Sequence, residues 1–135
     1  TIDIADELSK VKPLKAVYGN IDGKDVRICY PEHLKFEMEG LKIWMTHIGG
    51  YPGKYNPKIR EEIYKEKPDL FICGHSHIVK VMRDKKISNL IHINPGAAGI
   101  YGFHEIRTIA KMDLNNGKIE NLKVIELGKR AIIND

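Results

Sequence analysis

Apolar positions along the chain change period several times, and each change marks an element. Ile4, Leu8 and Val11 recur at helical spacing, with Asp3 placed to cap a helix over 4–11. Pro13 breaks that pattern, and "LKAVYGN" predicts a short buried strand ending at Gly19-Asn20. "IDGKDVRICYPE" has no period and reads as a loop. Leu34, Phe36 and Met38 alternate, Glu39-Gly40 turns the chain, and a second strand runs to Thr46-His47, which makes a hairpin. After the glycine-rich "IGGYPGKY", a helix is predicted over 57–67. Asn56 caps it, Pro57 fits its first turn, Ile59 and Ile63 face inward, and Pro68 ends it. Strands follow at 69–73 and 78–83, then a turn at Arg83-Asp84-Lys85-Lys86 and the strand "SNLIHIN". "PGAAGIYGFHE" is a second glycine-rich loop. "IRTIAKMDL" and "IENLKVIEL", joined at Asn115-Asn116-Gly117-Lys118, form a closing hairpin. Helices set between strands favour a mixed α/β fold over a pure sandwich.

Composition narrows the class. The chain of 135 residues suits one domain over 1–135 and needs no disulfide staple. It is 42% hydrophobic and 30% charged, as soluble globular proteins are. No apolar run reaches the length of a bilayer span, so no membrane partner is expected. Cys29 and Cys73 lie in unrelated contexts and read as reduced thiols of a cytoplasmic protein. The formal charge of +4 suits phosphorylated ligands but reads first as a lysine-rich solvated surface, and no dense basic run with interleaved aromatics marks nucleic acid as a specific partner. The one protein partner kept open is a second copy of the chain, in a homo-oligomer. "TIDIADELSKVKP" begins a helix almost at residue 1 and without Met, so the chain reads as entering its fold part-way.

Four strand ends share a design. "PLKAVYGN" ends in Gly19-Asn20, "LKIWMTH" in His47, "DLFICGHSH" in His75 and His77, and "NLIHINPG" in Asn94-Pro95-Gly96. In open α/β sheets, ligands bind at the carboxyl ends of the strands. With these strands side by side, Asn20, His47, His75 and His77 converge, giving one amide oxygen and three imidazoles for a divalent transition metal. In an extended chain, residues i and i+2 leave on the same side, about 6–7 Å apart. Paired hydrolytic metals sit roughly 3.5–4 Å apart, so His75 and His77 are spaced to serve two ions. Singly, His-x-His fits exposed or hydrogen-bonded histidines, and Asn20-Ile21-Asp22-Gly23 fits a plain turn. The conjunction carries the metal reading.

"GNID", "TH", "GHSH" and "NPG" stand in the order and rough spacing of the calcineurin-like metallophosphoesterases. From about residue 14 to 127 the chain resembles their small bacterial and archaeal phosphodiesterase branch, with its G-N-x-D, T-H-G-H, G-H-T-H and N-P-G-S motifs. The resemblance implies a four-layer α/β/β/α sandwich with metals at the carboxyl ends of the strands. It implies that Asn20, His47 and His75 hold one metal and His77 the other, and that Asp22 steadies the loop. Three departures stand out. The opening D-x-H and a later G-D, whose aspartate bridges the metals, are absent, so 1–135 reads as the carboxyl-terminal two-thirds of a domain, with 128–135 as a tail. Ile21 stands where larger phosphatases place a histidine as general acid. "THIGG" replaces T-H-G-H.

The expected function is phosphoester hydrolysis, of phosphodiester type, by water activated at two divalent ions. Mn²⁺ comes first, with Zn²⁺, Fe²⁺ or Ni²⁺ as alternatives. Asn20, Asp22 and His75 are the expected catalytic residues, and this stretch alone is expected to be inactive. His104 and Arg107, after the Asn94-Pro95-Gly96 turn, are candidates to hold a small phosphoester substrate. His92 alternates with its strand's core and reads as structural, and His33 has no supporting pattern. The competing expectation is a scaffold that keeps the fold without the chemistry, since a retromer coat subunit also resembles this family. A structural zinc site fits poorly, because neither cysteine lies among the ligands.

Overall fold

A computed structural model describes residues 1–130. Its centre is a five-stranded sheet. Two of its strands form the predicted hairpin, β1 (His33–Met38) and β2 (Leu41–Thr46). The others are β5 (Leu70–Ile72), β6 (Lys80–Asp84) and β7 (Leu90–Asn94), in the order β1-β2-β5-β7-β6. β2, β5 and β7 run parallel, and β1 and β6 close the edges antiparallel. Three carboxyl ends therefore open on one margin, carrying His47, the Gly74–His77 segment and Pro95-Gly96.

Alternation along these strands buries both faces. On one face Trp44, Phe71 and Leu90 pack with Ile59, Ile63 and Ile87, each 4% exposed or less. Ile63 comes from α3 (Arg60–Glu66), and Tyr55 comes from the short ribbon β3 (Gly50–Tyr51) with β4 (Lys54–Tyr55). On the other face Leu41, Ile43, Leu70 and Ile93 meet the hairpin of β8 (Ile106–Asn115) and β9 (Lys118–Lys129), through Ala110, Met112, Leu114, Ile119 and Leu122. Helix, sheet and second sheet thus stack as layers of an α/β sandwich.

Several expectations change at the amino-terminal end. Residues 13–19 form no strand; among the described residues their link to the stretch before β1 is a single backbone bond, Tyr18 N to Pro31 O at 3.0 Å, and 14 and 16–18 are half-buried. "IDGKDVRICYPE" contains the helix α2 (Lys24–Cys29), which buries only Val26. The first helix, α1 (Ile2–Val11), starts behind Thr1, so Asp3 lies in its first turn and does not cap it. Ile4, Leu8 and Val11 share a face, as the spacing predicts, but that face is exposed.

Elsewhere the changes concern boundaries. The 57–67 helix begins only at Arg60, because Asn56 first closes a tight turn: its side-chain oxygen accepts from Lys58 N at 3.1 Å. Lys67, left-handed at φ 48°, ends α3. The 78–83 strand is shifted to Lys80–Asp84, and its turn runs over 85–89, pinned by fully buried Ile87. The expected tail at 128–135 begins as strand, since β9 continues to Lys129, and 131–135 lie outside the described residues.

Candidate metal centre

β2 delivers His47 and β5 delivers His75 to the same margin. Asn20 reaches it from a turn at the end of the irregular amino-terminal segment. His47 Nε2 lies 2.8 Å from Asn20 Oδ1, His75 Nδ1 lies 3.2 Å from that oxygen, and the two nitrogens are 3.3 Å apart. Ligand atoms about 2.0–2.1 Å from one ion are separated by roughly 2.8–3.4 Å in octahedral or tetrahedral arrangement. The three atoms thus match one face of a coordination shell, and two imidazole nitrogens with an amide oxygen suit a borderline divalent metal. Among the described residues no group of three or more His, Cys, Asp or Glu gathers this closely. The trio reaches three only by counting the amide.

The GHSH segment departs from the extended geometry assumed for i and i+2. His75 and His77 are both left-handed, at φ 67° and 61°, and Ser76 N closes back on Gly74 O at 2.8 Å. Such backbone costs about 1–2 kcal/mol per non-glycine residue and is retained where a site requires it. The two imidazoles consequently part. His75 joins Asn20 and His47, while His77 Nδ1 lies 3.1 Å from His104 Nδ1.

The supports are specific. Gly74 N donates to His47 O at 2.9 Å, which ties β5's end to β2's. Buried Asn94 donates to Gly74 O at 3.0 Å and Ser76 Oγ at 3.1 Å, bracing the turn between the histidines. Gly19 is needed because a Cβ there would press on the His47 ring at 3.1 Å. Asp22 Oδ2 accepts from Gly19 N at 2.7 Å and closes the Asn20 turn. Arg27, which sequence reasoning missed inside its supposed loop, grips that turn from α2. It donates to the carbonyls of Asp22 at 2.8 Å, Asn20 at 3.2 Å and Gly19 at 3.4 Å. Only the arginine itself hinted at this, since five donors in a fork can collect carbonyls.

Burial lowers the His47 pKa, and the His75 and His77 charges lower it further against the pull of Asp22. Burial likewise lowers His77, followed by the His104 and His75 charges. Both shifts favour the neutral, ligating imidazole. Beside Asn20 and His47 lies a pocket of about 310 Å³, also lined by Tyr18, Arg27, His33 and Lys58. The structure does not join Arg107 to the cluster. Its guanidinium donates to the Leu127 and Lys129 carbonyls of β9. His92 is a core residue, 1% exposed, with Nε2 on Gly50 O at 2.9 Å.

Residues 1–117 match the calcineurin-like phosphoesterase superfamily domain, and the chain belongs to that superfamily. A probable metallophosphoesterase of Methanothermobacter thermautotrophicus is 27% identical over 95 residues, 70% of this chain and 53% of the relative. The match therefore spans about half of that curated relative's length. Among solved structures, a novel archaeal phosphodiesterase is similar at TM-score 0.70 and 21% identity, over 94% of this chain and 77% of its own. Vps29 of Entamoeba histolytica, complexed with zinc, is similar at TM-score 0.68 and 15% identity, over 96% and 76%. These two likenesses concern the fold.

Proposed function

We propose that the chain carries the nitrogen-ligand half of a metal-dependent phosphodiesterase centre. The observation supporting this is the meeting of Asn20 Oδ1, His47 Nε2 and His75 Nδ1 within 3.3 Å. These atoms would hold one divalent ion, Mn²⁺ first. A bound ion would supply Lewis acidity toward the phosphoryl oxygens and a lowered pKa for its water. The chain's own part is positioning. Asp22 and Arg27 fix Asn20 through its turn, and Asn94 holds the Gly74 carbonyl and the Ser76 hydroxyl on either side of His75. Lys58 and Arg27 line the pocket beside the trio, and their positive charge would suit an anionic ester there. No histidine follows Asn20, so esters with good leaving groups are the expected substrates, since no acid there protonates a poor one.

The test is hydrolysis of bis(p-nitrophenyl) phosphate by the full-length protein with Mn²⁺. His75→Ala is expected to abolish the metal-dependent rate, and an unchanged rate would refute the site. A second reading is favoured by the shared fold with Vps29 and by exposed Tyr101 and Phe103: a module that binds a protein partner without catalysis. Metal binding with no hydrolysis of any phosphodiester tested would select that reading.

A further inference from the structure

The loop over 95–105 closes on the second histidine of GHSH, and its geometry is that of a prepared ligand. His104 Nε2 lies 2.8 Å from Gly99 O. A carbonyl only accepts, so Nε2 carries the proton, and neutral His104 turns a bare lone pair at Nδ1 toward His77. A ring whose outer N–H is held by a backbone carbonyl is the tautomer that metal-ligating histidines adopt. The two Nδ1 atoms are 3.1 Å apart, with ring centroids at 4.9 Å and planes at 85°. That separation again matches adjacent ligands of one ion at about 2.0–2.1 Å each.

The surroundings hold both rings in place. Gly102, at φ 134°, passes over the pair, where a Cβ would collide with His77 Nδ1 and reach 3.0 Å from His104 Nδ1. Arg130 fixes the loop's base, donating from Nε to His104 O at 2.8 Å and from its backbone N to Glu105 O at 2.9 Å. No carboxylate or lysine bonds to either ring among the described residues. We propose that His104 Nδ1 joins His77 Nδ1 as a ligand of the second ion position that the resemblance assigns to His77, for a borderline divalent metal such as Zn²⁺ or Co²⁺. His104 then acts as a metal ligand rather than a direct contact to substrate. The remaining positions stay open to water and to a phosphoryl oxygen. The proposal rests on the metal-dependent reading above but uses different atoms.

The experiment strips the purified protein of metal and titrates it with Co²⁺, following visible absorption. The expected result is two binding events. His104→Ala should weaken one by on the order of tenfold or more and leave the other, which His47→Ala removes. Both events intact in His104→Ala would overturn the proposal. Both intact in His47→Ala would overturn the Asn20 centre while leaving this one standing. A measurement on the wild type guards against misfolded variants. In long-range proton–nitrogen spectra, Zn²⁺ should shift Nδ1 of His104 while Nε2 keeps its proton. An unmoved His104 ring, or coordination through Nε2, would show that the pair is a plain imidazole hydrogen bond.

Discussion

The two regions that build the candidate centre are held in opposite ways. His47 and His75 stand at the ends of strands whose interiors are sealed: Trp44 is 1% exposed and Phe71 is fully buried. Asn20 stands on a segment that forms no strand, between α1, which buries no residue, and α2, which buries one. The sheet places its ligands by packing. The amino-terminal segment places its ligand by a single turn, to which Arg27 donates and from which the Asp22 carboxylate accepts. A site can thus be half core and half clasp, and damage to each half should read out differently.

The largest effect is expected in the sheet. Phe71 packs edge-on against Trp44 at 5.6 Å and Tyr55 at 6.0 Å, and its ring fills the space left by Gly49. Phe71→Ala should cost about 3–5 kcal/mol, whereas Leu8→Ala on the exposed face of α1 should stay within about 0.5 kcal/mol. Urea unfolding of both variants measures the contrast, and equal losses would show that the two regions are not held differently.

The clasp should fail in function before it fails in stability. Arg27→Ala removes three donors from the Asn20 turn but exposes no core. Metal affinity is expected to fall roughly 10–100-fold, the usual consequence of losing a residue that orients a ligand. The unfolding midpoint should barely move. Arg27→Lys should not rescue, because one ammonium cannot serve three carbonyls as a fork does. Unchanged metal binding in Arg27→Ala would mean that Asp22 alone holds the turn.

The same division decides what the sequence reveals. The hairpins, β5, β7 and α3 are readable because alternation or helical spacing reflects burial, and there burial is real. "LKAVYGN" is apolar enough for a strand but joins no ladder among the described residues, and pairing is invisible in a local pattern. α2 is six residues long with one buried side chain, too short to show a period. His47, His75 and His77 follow strands as the pattern predicts, whereas Asn20 follows none. The division of these four residues into two clusters is not legible, because it depends on left-handed backbone at two histidines. Arg27's role is hidden too, since its partners are carbonyls five to eight residues back.

Acid sharpens the comparison by the smallest margin. All six histidines lie from residue 33 onward, on the sheet side of the comparison rather than in the amino-terminal segment. Burial pushes His92 down to about 4, and the Lys80 charge adds to this against the pull of Asp84. Unfolded, the ring titrates near about 6.5. Between these values the unfolded chain binds the proton that the folded chain refuses. Stability is therefore fully present above about 6.5 and declines as pH falls toward 4, with a slope of up to about 1.4 kcal/mol per unit from this group. His47 and His77 are lowered by burial as well and add to the slope in the same direction. His92→Gln keeps an N–H donor near Gly50 O and does not titrate, so its stability curve should be flatter between pH 6.5 and 4.5. An equal slope in urea titrations of the two proteins would assign the acid sensitivity to the metal-centre histidines instead of the core.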